Sequence, residues 1–154
     1  MKVEYINPFV VAAKSTCETM LNLKAEQGKL HLKTEQSTTS DLTAIIGLSG
    51  KLRGSIVLAF NQGVAQTFVK RFLGMDGELN TAEICDGVGE LCNIIGGSAK
   101  VELNKFNLNL SISVPNVVIG KGLQVVTNSS YPTLVVPIHT ELGNFDVEVC
   151  LMEA

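Results

Sequence analysis

A chain of 154 residues with 45% hydrophobic residues is long enough to bury a core as one domain without a metal or disulfide staple. Its 12 Lys and Arg against 15 Asp and Glu give a formal charge of −3, with the basic residues scattered, so the footprint of a nucleic-acid or anionic-membrane binder is missing. Glu4, Asn7 and Pro8 stand where a secretory signal needs an apolar run, and no uncharged stretch is apolar enough to span a bilayer. These features read as a cytoplasmic protein that uses neither nucleic acid nor membrane. Cys17, Cys85, Cys92 and Cys150 form no C-x-x-C pair and read as four buried thiols. Cys85 and Cys92 share one side of a helix, but His31 and His139 fall in distant strand-like segments and read as surface or edge residues.

In chain order, Asn7-Pro8 predicts an N-cap and first helical residue, opening a helix to about Asn22 with Val10, Ala13, Cys17, Met20 and Leu21 inward. Strand-like runs follow over Leu23 to Thr34, Asp41 to Ser49 and Leu52 to Phe60, with Ser37 to Ser40 a polar turn and Gly50-Lys51 a hairpin signal. Asn61 then caps a short helix ending at Gly74, and Gly74-Met75-Asp76-Gly77 divides the domain into halves of about 1–75 and 76–154. Asn80 with Glu83 forms a capping box that launches a long helix to about Asn104, roughly 25 residues or 38 Å.

Beyond it, Leu108, Leu110, Ile112 and Val114 alternate with Asn107, Asn109, Ser111 and Ser113 as in a half-buried antiparallel strand. Val117 to Val126 is a further strand. Thr133 to Glu141 and Phe145 to Met152 predict a hairpin turning at Leu142-Gly143-Asn144, with Pro132 and Pro137 placing it at an edge. Helix-then-strands occurs twice, a pseudo-repeat giving an α+β domain with a mainly antiparallel sheet covered by helices.

The long helix carries the functional signal. At 100° per residue, Glu83, Asp86, Glu90, Asn93, Gly97 and Lys100 fall within an arc of roughly 100°, with Ile84, Val88, Leu91, Ile95 and Ala99 opposite. Glu90 and Asn93, three apart, are neighbours across one turn and can address one small target together. E-x-x-N alone says little. It recurs at Glu4 and Asn7, across a predicted helix cap, and at Glu141 and Asn144, across a predicted turn. On spacing alone, Glu90 and Asn93 read first as a solvated helix face. What sets them apart is the company of Gly87, Gly89, Gly96 and Gly97, which weakens the helix by about several kcal/mol relative to alanine. Outer glycines permit close approach by a partner, and inner ones close packing on the sheet.

The order Asp86, Glu90, Asn93, Gly97 within Gly89-Glu-Leu-Cys-Asn-Ile-Ile-Gly-Gly-Ser-Ala99 resembles the signature of the CheC/CheX/FliY chemotaxis phosphatase family, most like its CheX branch. The Asn7-Pro8-Phe9 opening, the Gly50 to Phe60 hairpin strand and Phe72-Leu-Gly-Met75 extend the resemblance along the chain. It implies a phosphatase that hydrolyses phosphoaspartate on a CheY-like response regulator. By this resemblance Asn93 holds the attacking water, Glu90 pairs with the receiver's lysine, and Asp86 and Gly97 contribute to partner binding. The chain would bind no cofactor of its own, the Mg2+ being supplied by the receiver. The resemblance also implies a homodimer formed through strand pairing, for which the edge-like C-terminal strands would serve. CheC members carry two motifs and CheX members one. Here Glu18 and Asn22 have the wrong spacing, so the opening helix supplies no second pair. Two other readings use the same residues: a non-catalytic adaptor for a receiver or flagellar switch protein, and a structural oligomer whose helix face is idle.

Overall fold

The computed structural model describes residues 3–34, 40–126 and 131–153. Helix α1 spans Val3–Leu21, so Asn7 and Pro8 lie inside it instead of starting it. The apolar row begins upstream of the proline: Tyr5 and Ile6 are buried with Phe9, Val10 and Ala13, and Tyr5 meets Phe106 edge-on at 5.6 Å. Burial of that row outweighs the one hydrogen bond Pro8 cannot donate to the carbonyl of Glu4. Glu4 and Asn7 therefore share a helix after all. Met20, expected inward, is 44% exposed.

The run from Leu23 to Thr34 forms regular strand only at β1, Glu26–Gln27, and β2, His31–Leu32, both exposed. Strands β3, Ser40–Ser49, and β4, Leu52–Phe60, form the expected hairpin, while the rest of the predicted 37–40 turn lies outside the described residues. Helix α2, Gln62–Leu73, is capped by Asn61, whose side chain accepts from the Val64 amide, and ends at Gly74 in the left-handed conformation, φ 64°. Helix α3, Thr81–Leu103, follows. Strands β5, Ser111–Ile112, β6, Asn116–Leu123, β7, Leu134–Thr140, and β8, Gly143–Glu153, complete the described elements.

The strand predicted over 107–114 is reduced to β5. Asn107 and Asn109 take left-handed conformations, φ 59° and 51°, and the Leu110 amide donates to the Asn104 side chain instead of a neighbouring strand. The in-and-out alternation survives as far as Ile112: Leu108 and Leu110 are buried, Ile112 is half-buried and Val114 is 82% exposed. The last hairpin turns at Glu141-Leu142, one residue earlier than predicted, with Thr140 opposite Gly143.

All the strands join one antiparallel sheet in the order β1-β7-β8-β4-β3-β5, with β2 also on β7 and β6 also on β3. The C-terminal hairpin is therefore not an edge. Strand β8 lies between β7 and β4, and β1 and β2 cover the far side of β7. Pro137 sits opposite the gap between those two short strands, where its missing N–H interrupts no ladder and its carbonyl accepts from the Gly28 amide.

The three helices share the core with one face of the sheet, where Leu42, Ala44, Ile46, Leu58, Phe60, Val147 and Val149 are buried. Phe60, Phe68 and Phe145 form an aromatic trio within it, Phe60 stacking on Phe145 at 4.9 Å. Polar chemistry gathers on the opposite face. Lys33 donates to Glu148 at 2.6 Å and to the Val125 carbonyl at 2.8 Å, with the two side chains only 14% and 9% exposed. Two residues along β8, burial pushes the Asp146 carboxyl up, while His31, His139 and Lys33 hold it down.

Candidate functional site on the exposed face of the third helix

Helix α3 begins with the reciprocal cap the sequence announces. The Asn80 side chain accepts from the Glu83 amide at 2.8 Å, and the Glu83 carboxylate accepts from the Asn80 amide at 3.1 Å. Its apolar arc packs as expected, with Ile84, Val88, Leu91, Ile95 and Ala99 all buried. Burial of that arc fixes the roll of the helix, and the roll decides which side chains face out.

The glycines divide by side. A Cβ on Gly87 would lie 2.4 Å from Val69 Cγ1, and one on Gly96 would lie 2.9 Å from Ile46 Cδ1, so these two let α3 approach α2 and the sheet closely. On the outer side, a Cβ on Gly89 would make only ordinary contact with Val117, and one on Gly97 would meet nothing within 4 Å. Nothing in the described fold requires glycine at 97. It weakens the helix by about 1 kcal/mol relative to alanine with no return within the chain.

Asp86, Glu90 and Asn93 are exposed and line one groove. Gly97 continues the same row one turn beyond Asn93, outside the groove. Among the described residues neither Glu90 nor Asn93 makes a side-chain hydrogen bond or ion pair, so the charge and the amide's donor and acceptor are available to an outside group. The opposite wall is Ile112, Ser113, Val114, Pro115 and Val117, the ends of two predicted strands and the proline between them, none of which the sequence pointed to as part of the site. The only signal for that wall was the end of the alternating run at Val114, just before a proline.

Cys85 also lines the groove and is half-exposed, so it is not the fully buried thiol expected. Burial and then the charge of Asp86 raise its pKa. The other three cysteines are buried, and burial pushes the Cys92 thiol up to about 12. His31 and His139 are exposed, as expected. Among the described residues no three His, Cys, Asp or Glu side chains gather as metal ligands, and no helix is long and apolar enough to cross a membrane.

Glu4 and Asn7 serve as an internal comparison, being exposed at the same spacing on α1. There, however, the position matching Gly97 is Val11, 60% exposed, which holds off a close approach. Only α3 joins the acid and amide to an outer glycine.

The family description "Chemotaxis phosphatase CheX" matches residues 42–139, a span that contains all of α3 and both walls of the groove. The chain belongs to the CheX family. It is 22% identical over 150 residues to the CheY-P phosphatase CheX of Thermotoga maritima, covering 97% of this chain and 96% of that one. A CheC-like superfamily protein from Shewanella sp. PV-4 superposes with a TM-score of 0.89 at 28% identity, covering 99% of both chains. CheX in the CheX–CheY–BeF3–Mg2+ complex from Borrelia burgdorferi shares the fold, with a TM-score of 0.84 at 24% identity over 99% of this chain and 100% of that one.

Proposed function

We propose that this protein hydrolyses phosphoaspartate on a CheY-like response regulator, with Asn93 orienting the attacking water and Glu90 pairing with the receiver's lysine. The observation that carries this reading is the pair itself: a carboxylate and an amide one turn apart, exposed and unpartnered among the described residues, on a capped helix. Membership of the CheX family supports it, as do a relative named for CheY-P phosphatase activity and a CheX solved together with CheY.

The residue types suit the reaction. Phosphoryl transfer asks chiefly for positioning and charge stabilisation, and a receiver would bring the Mg2+ and its ligands with the phosphoryl group. What remains to be supplied is an in-line water. A carboxamide donates and accepts together, so it can fix a water's orientation without becoming its base. The water oxygen bonds to phosphorus as the aspartyl oxygen leaves, giving a free carboxylate and inorganic phosphate. Glu90 registers the receiver by a charge-assisted hydrogen bond. The test is phosphate release from a panel of phosphorylated receivers. Binding without faster decay would favour the adaptor reading.

Replacing Glu90 by glutamine is expected to raise KM and lower kcat, together costing about 2 kcal/mol in kcat/KM, because its partner is a buried cation only in the complex. Steady-state phosphate release checks the split. Gly97→Ala should part stability from function. The added methyl meets nothing within 4 Å, so thermal melting should show a gain of about 1 kcal/mol, while KM rises because the partner loses its close approach.

A strand-paired homodimer would form at β6, which pairs with β3 alone among the described residues and exposes Val118 and Ile119. Sedimentation mass together with hydrogen-exchange protection of the β6 amides would test it.

A further inference from the structure

Resting on the reading of Glu90 and Asn93 as the receiver-facing pair, we infer that Val114 is a docking residue for the receiver. It forms an apolar lip that seats the receiver against the wall of the groove opposite helix α3. Val114 is 82% exposed and lines the same groove as Asp86, Glu90 and Asn93. A lone exposed valine is ordinary on a protein surface. This one is held in place from both sides.

Ser113 donates its amide to the Gly47 carbonyl at 2.9 Å and accepts the Gly47 amide on its side-chain oxygen at 2.8 Å, locking the segment to β3. Its hydroxyl also donates to the Val114 carbonyl at 3.3 Å. Pro115 follows and restricts Val114 to extended conformations. The backbone therefore holds an apolar side chain in water within the groove that Asn93 lines, and little backbone entropy remains to be lost on contact.

The occupant follows from area and chemistry. A specific interface covers about 800 Å² of each partner, far more than an acid and an amide present, so a receiver seated on Asn93 extends onto the facing wall. That groove sets carboxylates on one wall against valine and proline on the other. Such a groove is complementary to a receiver surface that presents a cation beside apolar side chains. Docking removes Val114 from water, whereas the water-positioning step does not involve it. The residue thus acts on KM and leaves kcat alone.

The test compares wild type, Val114→Ser, Val114→Leu and Val126→Ser in phosphate release from one phosphorylated receiver. Val126 is a matched control, 84% exposed and lining a different pocket. Losing the buried apolar surface should raise KM about tenfold in Val114→Ser, with kcat held within about twofold. Val114→Leu should restore KM, and Val126→Ser should not move it. An unchanged KM in Val114→Ser, an equal rise in Val126→Ser, or a loss confined to kcat would overturn the inference while leaving the phosphatase reading intact. A wild type that neither binds nor dephosphorylates any receiver in the panel would remove that reading, and this inference with it.

Discussion

Asn93→Ala is expected to slow dephosphorylation of the receiver by about a hundredfold, equivalent to about 3 kcal/mol of barrier, with KM little changed. The split follows from when the contact is made. An amide that only orients a water contributes once the complex has formed, so its loss falls on kcat. Folding is not at issue, because Asn93 is exposed and makes no side-chain hydrogen bond among the described residues. Alanine there should shift stability by less than about 0.5 kcal/mol. Asn93→Asp sharpens the prediction. The carboxylate has nearly the amide's shape but lacks its donor and sets a negative charge against the phosphoryl oxygens, so it should not rescue the rate. Asn7→Ala is the control, an exposed amide at the same spacing from an acid on α1, and it should leave the rate unchanged. Single-turnover decay of a phosphorylated receiver reads all three variants, and full activity in Asn93→Ala would remove the proposed mechanism.

The site helix was legible because its signals are local. Asn80 and Glu83 mark its start, and the apolar arc from Ile84 to Ala99 fixes its roll, which leaves Glu90 and Asn93 facing out. The same holds for Asn61 and Gly74 around α2 and for the hairpin between β3 and β4. Errors arose where distant contacts overrule a local preference. Asn7-Pro8 has every local mark of a helix start, but burial of Tyr5 and Ile6 draws the helix upstream. The alternating run from Leu108 carries a strand's pattern of burial, yet left-handed Asn107 and Asn109 break its ladder. The far wall of the groove was hidden for a similar reason. Val114 comes to Asn93 through the pairing of Ser113 with Gly47, a long-range contact that periodicity cannot show. In the C-terminal hairpin, Pro137 suggested an edge, but the break between β1 and β2 accommodates it inside the sheet.

On the sheet face away from the helices, Lys33→Ala is expected to destabilise the protein by about 3 kcal/mol at neutral pH, near the lower end for breaking a buried ion pair. Both partners are nearly buried, so the loss leaves the Glu148 carboxylate without its cation in a poorly hydrated place and the Val125 carbonyl without a donor. Asp146 adds a pH signature. Burial pushes its carboxyl up, and Lys33 is one of the groups, after His31 and His139, that hold it down, so the variant raises it further. A carboxyl raised on folding binds its proton more tightly in the native state. Its contribution to stability is complete below the unfolded value, about 3.9, and is lost as pH climbs through the folded value. The deficit of Lys33→Ala relative to wild type should therefore widen from about pH 4 toward neutrality. In a chain of this size, about 3 kcal/mol lowers the melting midpoint by roughly 6–12 °C. Replacing both charges, as Lys33→Met with Glu148→Leu, should recover most of the loss, because an apolar pair of similar volume leaves no buried charge behind. Thermal melts across pH for the single and double variants measure the effect. A deficit that does not vary with pH, or one whose pH dependence is undiminished when Asp146→Asn is added, would show that Asp146 does not feel Lys33. Receiver dephosphorylation by the folded fraction of Lys33→Ala should match wild type, since the pair lies on the face opposite α3.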